Sequence, residues 1–265
     1  MSTAPFGRRA LRVTGRRELG AYVVLQAADP AGPSPAPGQF YMLAAAERWG
    51  GGGDERPFLP RAFSVLRASS DGMLEFMLED VGPGTERLAA LAAGDGLWAT
   101  GPLGRGFRDP QDGRRALLCG GGVGAAPLAI LQDDLLARGL PAPALLGFRD
   151  AAHAEGAALL QNPRVATDDG SIGRQGLVTD LLAAELDADA HATVYACGPP
   201  PMLEAVRALC AARDVPVQLA LESGMACGFG ACFGCVVPLA EGGYARICVD
   251  GPVLDGTLLA QVPAH

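Results

Sequence analysis

Four cysteines crowd into 22 residues near the end of the chain, and their spacing constrains the local fold more than any other feature of the sequence. Cys227, Cys232, Cys235 and Cys248 follow the pattern C-x4-C-x2-C-x12-C. Plant-type iron–sulfur proteins hold a [2Fe–2S] cluster with the form C-x4-C-x2-C…C. Because four thiolates must converge on two irons, the intervening chain has to wrap tightly around an inorganic core.

Glycines interrupt the cysteine segment where such wrapping needs them. Gly228, Gly230 and Gly234 permit positive φ angles and let backbone N–H groups approach the sulfurs. Two other interpretations of the four cysteines stay open: a structural zinc site, for which x4 followed by x2 is less usual, and a set of buried free thiols. Disulfides are disfavoured because the N-terminus lacks the apolar core of a secretory signal.

The charge balance limits the partners that the chain can have. The chain has 21 Lys+Arg residues, all of them arginine, and 29 Asp+Glu residues, which gives a net charge of -8. Such an acidic chain is a poor general binder of nucleic acid. No apolar run is long enough to cross a bilayer, so we expect a cytoplasmic protein with neither a nucleic-acid nor a membrane partner.

The first part of the chain has the pattern of a small antiparallel β-barrel. Short strand-like segments separated by Gly, Pro and Asp clusters occur at residues 21–25, 39–43, 62–66 and 74–78. One helix is predicted at residues 85–93, with Thr85 in the capping position. We assign residues 1–109 to this domain.

After residue 109 the pattern changes to apolar strands that alternate with helices. We predict strands at 116–119, 144–148 and 193–197, and helices at 126–138, 177–186 and 201–212. Such alternation is typical of a parallel sheet covered on both faces. Residues 110–218 are therefore predicted to form an α/β domain, and residues 219–265 a small C-terminal subdomain around the cysteines.

Two segments of the barrel domain are candidates for a flavin site. In the strand-like run Arg61–Ser64, the arginine can pair with a pyrophosphate and the serine hydroxyl can reach a ring system. The turn at 82–85, GPGT, precedes the predicted helix and offers backbone N–H groups to a phosphate. The plain alternatives are an exposed arginine beside a core aromatic residue, and a simple turn with a cap.

Two strand–helix turns of the α/β domain are candidates for a dinucleotide site. Gly120, Gly121, Gly122 and Gly124 follow a predicted strand and open a helix, which permits close backbone approach to phosphates. The spacing is not G-x-G-x-x-G, and without a Walker lysine the run cannot be a P-loop. Cys197-Gly198 ends another strand at the same predicted edge. The alternatives are a tight turn without a ligand and a cysteine that merely fills core space.

Taken in order, these motifs resemble the ferredoxin–NADP reductase superfamily over nearly the whole chain. They are RAFS at 61–64, GPGT at 82–85, GPLGRGF at 101–107, GGGVG at 120–124, CGP at 197–199 and ESGMACG at 222–228. Within the superfamily, the cysteine segment with ICVDGPV at 247–253 is most similar to the electron-transfer subunits of NAD-dependent dihydroorotate dehydrogenase.

The resemblance implies an FAD held by the barrel, an exchangeable NAD, and a [2Fe–2S] cluster facing a catalytic partner that contains FMN, in a heterotetramer of two plus two chains. It assigns iron to the four clustered cysteines. It assigns FAD contacts to Arg61, Ala62, Phe63, Ser64, Gly84 and Thr85, and further contacts to Met77, Leu78 and Glu79. At Leu78-Glu79 the family often has a Tyr-Arg pair, and Phe63 stands where tyrosine or a small aliphatic residue is commoner.

The resemblance thus implies an oxidoreductase subunit that relays electrons from the partner's FMN through the cluster and FAD to NAD⁺, in pyrimidine biosynthesis. We identify no catalytic residue for the organic substrate, since His153 and His191 are expected to be solvated. For the nucleotide, Asp150 could accept from a ribose hydroxyl, whereas Arg149 could pair with a 2′-phosphate. Two other functions stay open: a diaphorase subunit for a ferredoxin, sulfide dehydrogenase or hydrogenase partner, and a non-enzymatic iron–sulfur or zinc redox sensor.

Overall fold

The computed structural model describes residues 7–50 and 56–263, and the first part of this range forms a seven-stranded antiparallel sheet. Its strands are β1 (Arg9–Leu19), β2 (Tyr22–Ala28), β3 (Phe40–Ala45), β4 (Arg61–Ser64), β5 (Arg67–Ala68), β6 (Met73–Glu79) and β7 (Gly96–Leu103). They pair in the order β4-β3-β7-β1-β2-β6-β5. The glycine cluster at residues 50–53, for which the sequence predicts a surface loop, lies largely outside the described residues.

The two edge strands of this sheet, β4 and β5, are joined by only two residues, so the sheet must curve until its edges meet. Val65 N–H donates to the Gln39 carbonyl on one side, and Leu66 N–H donates to the Glu75 carbonyl on the other. Both Val65 and Leu66 are fully buried. The predicted antiparallel barrel is confirmed, and its inward-facing side chains form one apolar core.

Helix α1 (Pro83–Ala89) follows β6 and is shorter than predicted. It begins two residues earlier because proline is preorganised for the first helical turn. Thr85 therefore lies inside the helix and is not its cap. The N-cap is Gly82, which supplies no side-chain hydrogen bond.

A second sheet begins with six parallel strands. They are β8 (Arg115–Gly121), β9 (Ala144–Phe148), β10 (Arg164–Thr167), β11 (Arg174–Gln175), β12 (Ala192–Cys197) and β13 (Val217–Ala220). Its helices are α2 (Ala125–Ala137), α3 (Ala151–Ala154), α4 (Val178–Ala188) and α5 (Pro200–Ala211). The order β11-β10-β9-β8-β12-β13 reverses direction between β8 and β12, which makes a topological switch point.

The remaining chain returns to the second sheet. A hairpin of β14 (Val236–Pro238) and β15 (Tyr244–Arg246) is followed by the short helix α6 (Ile247–Asp250) and by β16 (Val253–Asp255). Strand β16 pairs antiparallel with β13. The core of this segment is continuous with residues of the second sheet and with Phe40 and Met42 of the barrel. No helix among the described residues is long and apolar enough to span a membrane.

Candidate functional site

The first part of the candidate site is a cavity at the junction of the barrel, the second sheet and the segment after β13. Its lining combines aromatic, thioether and hydroxyl side chains from all three regions. The lining residues include Phe40, Ala62, Phe63, Ser64, Met77, Glu79, Val81, Thr85, Val123, Ala126, Leu221, Glu222, Ser223, Met225 and Pro252. We call it the flavin cavity.

Strand β4 forms one wall of the flavin cavity. Ala62, Phe63 and Ser64 all line the cavity. Arg61, one residue before, lies against the start of α1, where a Cβ built on Gly84 would come within 2.7 Å of the Arg61 Nε atom. Arg61 Nη1 donates to the Leu59 carbonyl at 2.7 Å. Glycine at position 84 is what permits the guanidinium and the helix start to approach so closely.

Thr85 lines the cavity, but its hydroxyl is already engaged in the turn before α1. The hydroxyl accepts from the Val81 N–H at 2.9 Å and donates to the Gly82 carbonyl at 2.9 Å. These bonds tie the Thr85 side chain to the two residues that precede the helix. The structure therefore assigns this threonine to holding the shape of the turn.

Strand β6 contributes alternate side chains to the flavin cavity, as the two-residue period of a strand requires. Met77 and Glu79 line the cavity. Leu78 is fully buried and faces the barrel core. Of the three residues that sequence reasoning put here, Leu78 can thus offer only its backbone to a ligand.

A second cavity of about 480 Å³ opens at the carboxyl ends of β8, β9, β10 and β12. Its volume is in the range of small-molecule and cofactor sites. The lining residues include Tyr22, Glu79, Gly121, Gly122, Gly147, Phe148, Arg149, His153, Asp168, Leu177, Val178, Thr179, Pro199, Pro201, Met202 and Ala205. We call it the nucleotide cleft.

The glycines of the predicted dinucleotide turn have different tasks. Gly121 and Gly122 line the nucleotide cleft, whereas a Cβ on Gly120 would meet Leu128 in the core at 2.8 Å. A Cβ on Gly124 would lie 2.2 Å from the Cys197 carbonyl oxygen. The turns after β8 and β12 therefore touch through Gly124, and the cleft depends on this approach.

Cys197 and Gly198 form the other side of that contact. Cys197 is buried, and burial raises the pKa of its thiol well above the usual value, with a smaller contribution from the charge of Glu222. A Cβ on Gly198 would lie 2.8 Å from the Met202 side chain. Cys197 is thus a buried, protonated residue of the apolar core behind the turn.

A charged network, missed by sequence reasoning, crosses the mouth of the nucleotide cleft. Arg149 Nη2 donates to Glu79 Oε1 at 2.6 Å. His153 is only 8% exposed, so the expectation that it is solvated is wrong. Its ring contacts Asp150 Oδ1 through Nδ1 at 2.6 Å and packs edge-on against Tyr22. The hydrogen bond from His153 lowers the pKa of the Asp150 carboxyl.

Glu79 belongs to this network and also lines the flavin cavity, so the two cavities meet at one carboxylate. His191, by contrast, is exposed, as expected. Arg149, Asp150 and His153 are close in the sequence, but Glu79 is 70 positions from Arg149, so local spacing does not reveal the network.

Glu222 is a second residue that sequence reasoning did not single out as a ligand contact. It follows β13 and lines the flavin cavity, where the surrounding protein raises the pKa of its carboxyl by desolvation. It stands in the ESGMACG motif, five residues before Cys227. The ESGMACG motif is the sequence signal that points to Glu222, but the prediction from that motif concerned only the cysteine ligands.

Backbone N–H groups converge on the cysteine sulfurs. Burial acts to raise the pKa of Cys227, but hydrogen bonds from the N–H groups of Phe229, Cys232 and Ala231 outweigh it and lower the pKa to about 6. The sulfur of Cys235 accepts from the Cys248 N–H at 3.4 Å. This is the environment that thiolate ligands and cluster sulfides need.

Two of the three glycines of this segment use the positive φ angles that glycine permits. Gly228 and Gly230 have φ values of 80° and 86°. Gly234 does not adopt a positive φ; the left-handed residue is its neighbour Phe233, at 57°. Gly234 instead donates its N–H to the Cys232 sulfur at 3.4 Å, a role that needs close approach and no unusual φ.

The four cysteines are exposed to different degrees. Cys235 and Cys248 are buried, Cys227 is partly buried and Cys232 is exposed. Burial, together with the neighbouring Cys235, raises the pKa of Cys248 to about 12. Within residues 7–50 and 56–263, no three His, Cys, Asp or Glu side chains are arranged around the position of a single metal ion.

Comparison with known proteins concerns both the cysteine segment and the chain as a whole. Residues 222–260 match the family described as the iron–sulfur cluster binding domain of dihydroorotate dehydrogenase B. The electron transfer subunit of dihydroorotate dehydrogenase B (NAD(+)) from Caldanaerobacter subterraneus subsp. tengcongensis is 37% identical over 249 residues, 91% of this chain and 94% of that protein. The subunit of the same name from Bacillus caldolyticus is 41% identical over 226 residues, 82% of this chain and 84% of that protein.

Solved structures give the same architecture at lower identity. The NADH-dependent reduced ferredoxin-NADP oxidoreductase superimposes with a TM-score of 0.80 and 23% identity, covering 96% of this chain and 91% of that one. The ferredoxin NADP+ reductase from Neisseria gonorrhoeae, with bound FAD and NADP, superimposes with a TM-score of 0.61 and 17% identity, covering 78% of this chain and 91% of that one. These likenesses concern the fold alone.

Proposed function

The chain belongs to the family of the electron transfer subunits of dihydroorotate dehydrogenase B (NAD(+)), and we propose that it passes electrons from the FMN of a catalytic partner through a [2Fe–2S] cluster and FAD to NAD⁺. Dihydroorotate is then oxidised in the partner, for pyrimidine biosynthesis. This chain carries the redox cofactors and positions them. We further propose a cytoplasmic heterotetramer of two plus two chains.

One observation carries the proposal: a single cavity touches all three parts of the chain. Ser64 from the barrel, Val123 from the turn after β8 and Met225, two residues before Cys227, line the same space. A relay between a nucleotide and a cluster requires an intermediate carrier in contact with both. The flavin cavity has the location that such a carrier needs.

The flavin cavity fits FAD in the chemistry of its walls. Phe40, Phe63 and Met77 are suited to the apolar faces of a ring system, and the Ser64 hydroxyl to its polar edge. At the α1 end, the Arg61 guanidinium beside Gly84 can pair with phosphate. Arg61 therefore lies at the end of the cavity where the phosphates of FAD would be held.

The cysteine segment fits a [2Fe–2S] cluster by its four sulfur donors and by the N–H groups aimed at them. The nucleotide cleft fits NAD by its position at the switch point and by the Tyr22 hydroxyl, a buried polar group with no hydrogen-bond partner among the described residues. When bound, FAD supplies the conversion between the two-electron chemistry of a nicotinamide and the one-electron chemistry of the cluster.

We propose the following assignments, which divide the chain into three functional parts at 1–109, 110–218 and 219–265. The cluster ligands are Cys227, Cys232, Cys235 and Cys248. The FAD contacts are Arg61, Ala62, Phe63, Ser64, Met77, Leu78, Glu79, Gly84 and Thr85, and the NAD contacts are Gly120, Gly121, Gly122, Gly124, Cys197 and Gly198. Gly120 and Gly124 contribute by permitting the turn, and Leu78 contributes through its backbone.

The test is an anaerobic visible spectrum with iron and flavin quantified, followed by NADH. We expect about one FAD and two irons per chain, bleached by NADH. Addition of an FMN-containing dihydroorotate dehydrogenase catalytic subunit should then give dihydroorotate-dependent reduction of NAD⁺. Bound zinc without bound flavin would refute the electron-transfer proposal. Bleaching by NADH without coupling to dihydroorotate oxidation would point to a different partner.

A further inference from the structure

A buried hydroxyl without a hydrogen-bond partner faces the nucleotide cleft. Tyr22 begins β2 of the barrel, yet its side chain lines the cleft of the second sheet and is only 1% exposed. Within residues 7–50 and 56–263, no group forms a hydrogen bond with its hydroxyl. Burying a hydroxyl without a partner costs free energy. A ligand that supplies the missing acceptor therefore gains affinity at this point.

Contacts with α3 and the segment after it hold Tyr22 in place. Its ring packs edge-on against His153, with ring centroids 5.6 Å apart. A Cβ built on Gly156 would lie 3.0 Å from the Tyr22 Cε2 atom. The preceding residue, Ala21, donates its N–H to the Ala152 carbonyl at 3.0 Å. The start of β2 is thus bound to α3, which fixes the hydroxyl relative to the second sheet.

The charged groups around the Tyr22 hydroxyl are paired with one another. Glu79 Oε1 accepts from Arg149 Nη2 at 2.6 Å and lies 3.3 Å from His153 Nε2. Asp150 Oδ1 contacts His153 Nδ1 at 2.6 Å. Burial, together with the charge of Glu79, raises the pKa of the Tyr22 phenol, so the hydroxyl keeps its proton. Tyr22 is therefore a hydrogen-bond donor without an acceptor.

The hydroxyl lies beside the start of a helix. A Cβ built on Gly122 would be 3.9 Å from the Tyr22 hydroxyl oxygen. Gly122 begins a short 3₁₀ turn, Gly122–Gly124, that runs into α2. The N–H groups at a helix start have no partner within the helix and attract anions. The anionic group of a dinucleotide is its pyrophosphate, so a phosphate oxygen at this turn would meet both the N–H groups and the phenol.

We propose that the Tyr22 hydroxyl donates a hydrogen bond to the pyrophosphate of the bound dinucleotide. The second sheet supplies backbone N–H groups at the start of its helix, and the barrel supplies this side-chain donor. The nucleotide site is therefore built from both parts of the chain, beside the Glu79 carboxylate that the two cavities share. The inference rests on the proposed function, because it assumes that the cleft binds the nucleotide.

The experiment measures binding of ADP and ADP-ribose, by isothermal titration, to the full chain loaded with flavin and cluster. Both compounds carry the pyrophosphate and neither carries a nicotinamide, so affinity is measured without flavin reduction. Tyr22→Phe removes only the hydroxyl. Tyr195→Phe is the matched control, because Tyr195 is also fully buried but its hydroxyl already donates to the Arg108 carbonyl at 2.9 Å.

We expect Tyr22→Phe to weaken binding of both compounds by the same factor, about tenfold or more, which is the effect of one hydrogen bond to a charged group. Tyr195→Phe should leave both affinities within about twofold of wild type. Without nucleotide, Tyr22→Phe should melt no lower than wild type, because the hydroxyl that it removes has no partner. Tyr195→Phe breaks a hydrogen bond and should melt about 2–4 °C lower.

Unchanged affinities in Tyr22→Phe, or an equal loss in Tyr195→Phe, would overturn the inference. A loss confined to ADP-ribose would also overturn it, because the hydroxyl would then contact the distal ribose. So would a lower melting temperature for nucleotide-free Tyr22→Phe, because the hydroxyl would then have a partner in the folded chain.

Bleaching of the flavin by NADH separates this inference from the proposed function. If NADH bleaches the flavin of the wild-type chain and Tyr22→Phe binds both compounds normally, the proposed function stands and only the role of Tyr22 is lost. If neither compound binds the wild-type chain and NADH leaves the flavin oxidised, the nucleotide cleft and the inference fail together.

Discussion

The contact between the turns after β8 and β12 predicts a large effect for Gly124→Ala. A Cβ at this position would lie 2.2 Å, 2.4 Å and 2.7 Å from the carbonyl oxygen and carbon of Cys197 and the nitrogen of Gly198. Van der Waals contact needs roughly 3.5 Å. Because all three atoms belong to the backbone, no side chain can rotate away, and one turn must move by about 1 Å.

The backbone angles of Gly124 are helical, with φ at -62°, so the cost of the substitution is steric alone. Overpacking of this kind costs about 2–3 kcal/mol. At this chain length that corresponds to a fall in melting temperature of roughly 5–10 °C. The same displacement separates Gly121 and Gly122 from Pro199 and Pro201, so affinity for ADP-ribose should fall as well.

The assay is thermal unfolding followed by circular dichroism, with ADP-ribose titration and iron content measured on the same sample. Gly224→Ala is the control, since a Cβ there meets nothing within 4 Å and the φ of Gly224 is not positive. Iron content should stay unchanged in both variants. A melting temperature for Gly124→Ala within 2 °C of wild type would show that the two turns are free to separate, and the reasoning would be wrong.

Three further predictions concern the cofactor sites. Cys232→Ala should abolish the visible spectrum of the cluster and the binding of iron. Cys210→Ala, the control at a buried cysteine of α5, should keep both. Iron analysis of the two purified variants measures the difference. Arg61→Gln should weaken FAD binding about tenfold or more through loss of a charge-assisted hydrogen bond, measured by flavin fluorescence on dilution. Desolvation by the surrounding protein raises the pKa of the Glu222 carboxyl, so the fold favours its protonated form and loses stability as pH rises through that pKa. In flavin-depleted protein, Glu222→Gln should therefore raise the melting temperature more at pH 8 than at pH 4, and an equal change at both would contradict this.

The parts of the fold that could be predicted are those that one short stretch of sequence determines. The rhythm of apolar segments indicated the barrel and the parallel sheet, and strand β9 has the predicted bounds. Strands β10 and β13, of four residues each, were missed because they are too short to show a period. Helix α1 was misplaced because the expectation put its cap at a threonine and overlooked the helix-starting proline.

The residues of the candidate site also divide into those that a local stretch of sequence predicts and those that it does not. The cysteine spacing is local and could be read directly, whereas the network of Glu79, Arg149 and His153 joins residues 70 or more positions apart. His153 looked solvated because nothing near it in the sequence shows that Tyr22 packs against it. Asp168 gave no signal at all, since a strand too short to recognise ends just before it.

The pairing of β13 with β16 has a consequence for how the cysteine segment tolerates loss of iron. All four cysteines lie in residues 221–252, between Ala220 and its strand partner Val253. The segment is therefore a closed loop anchored at both ends to the edge of the nucleotide-binding sheet. For a closed loop, most of the entropy cost of bringing the sulfurs together is already met by the strand pairing. Chelation of the iron should leave the barrel and the sheet folded, and the cluster should reassemble on the same chain when iron and sulfide are restored.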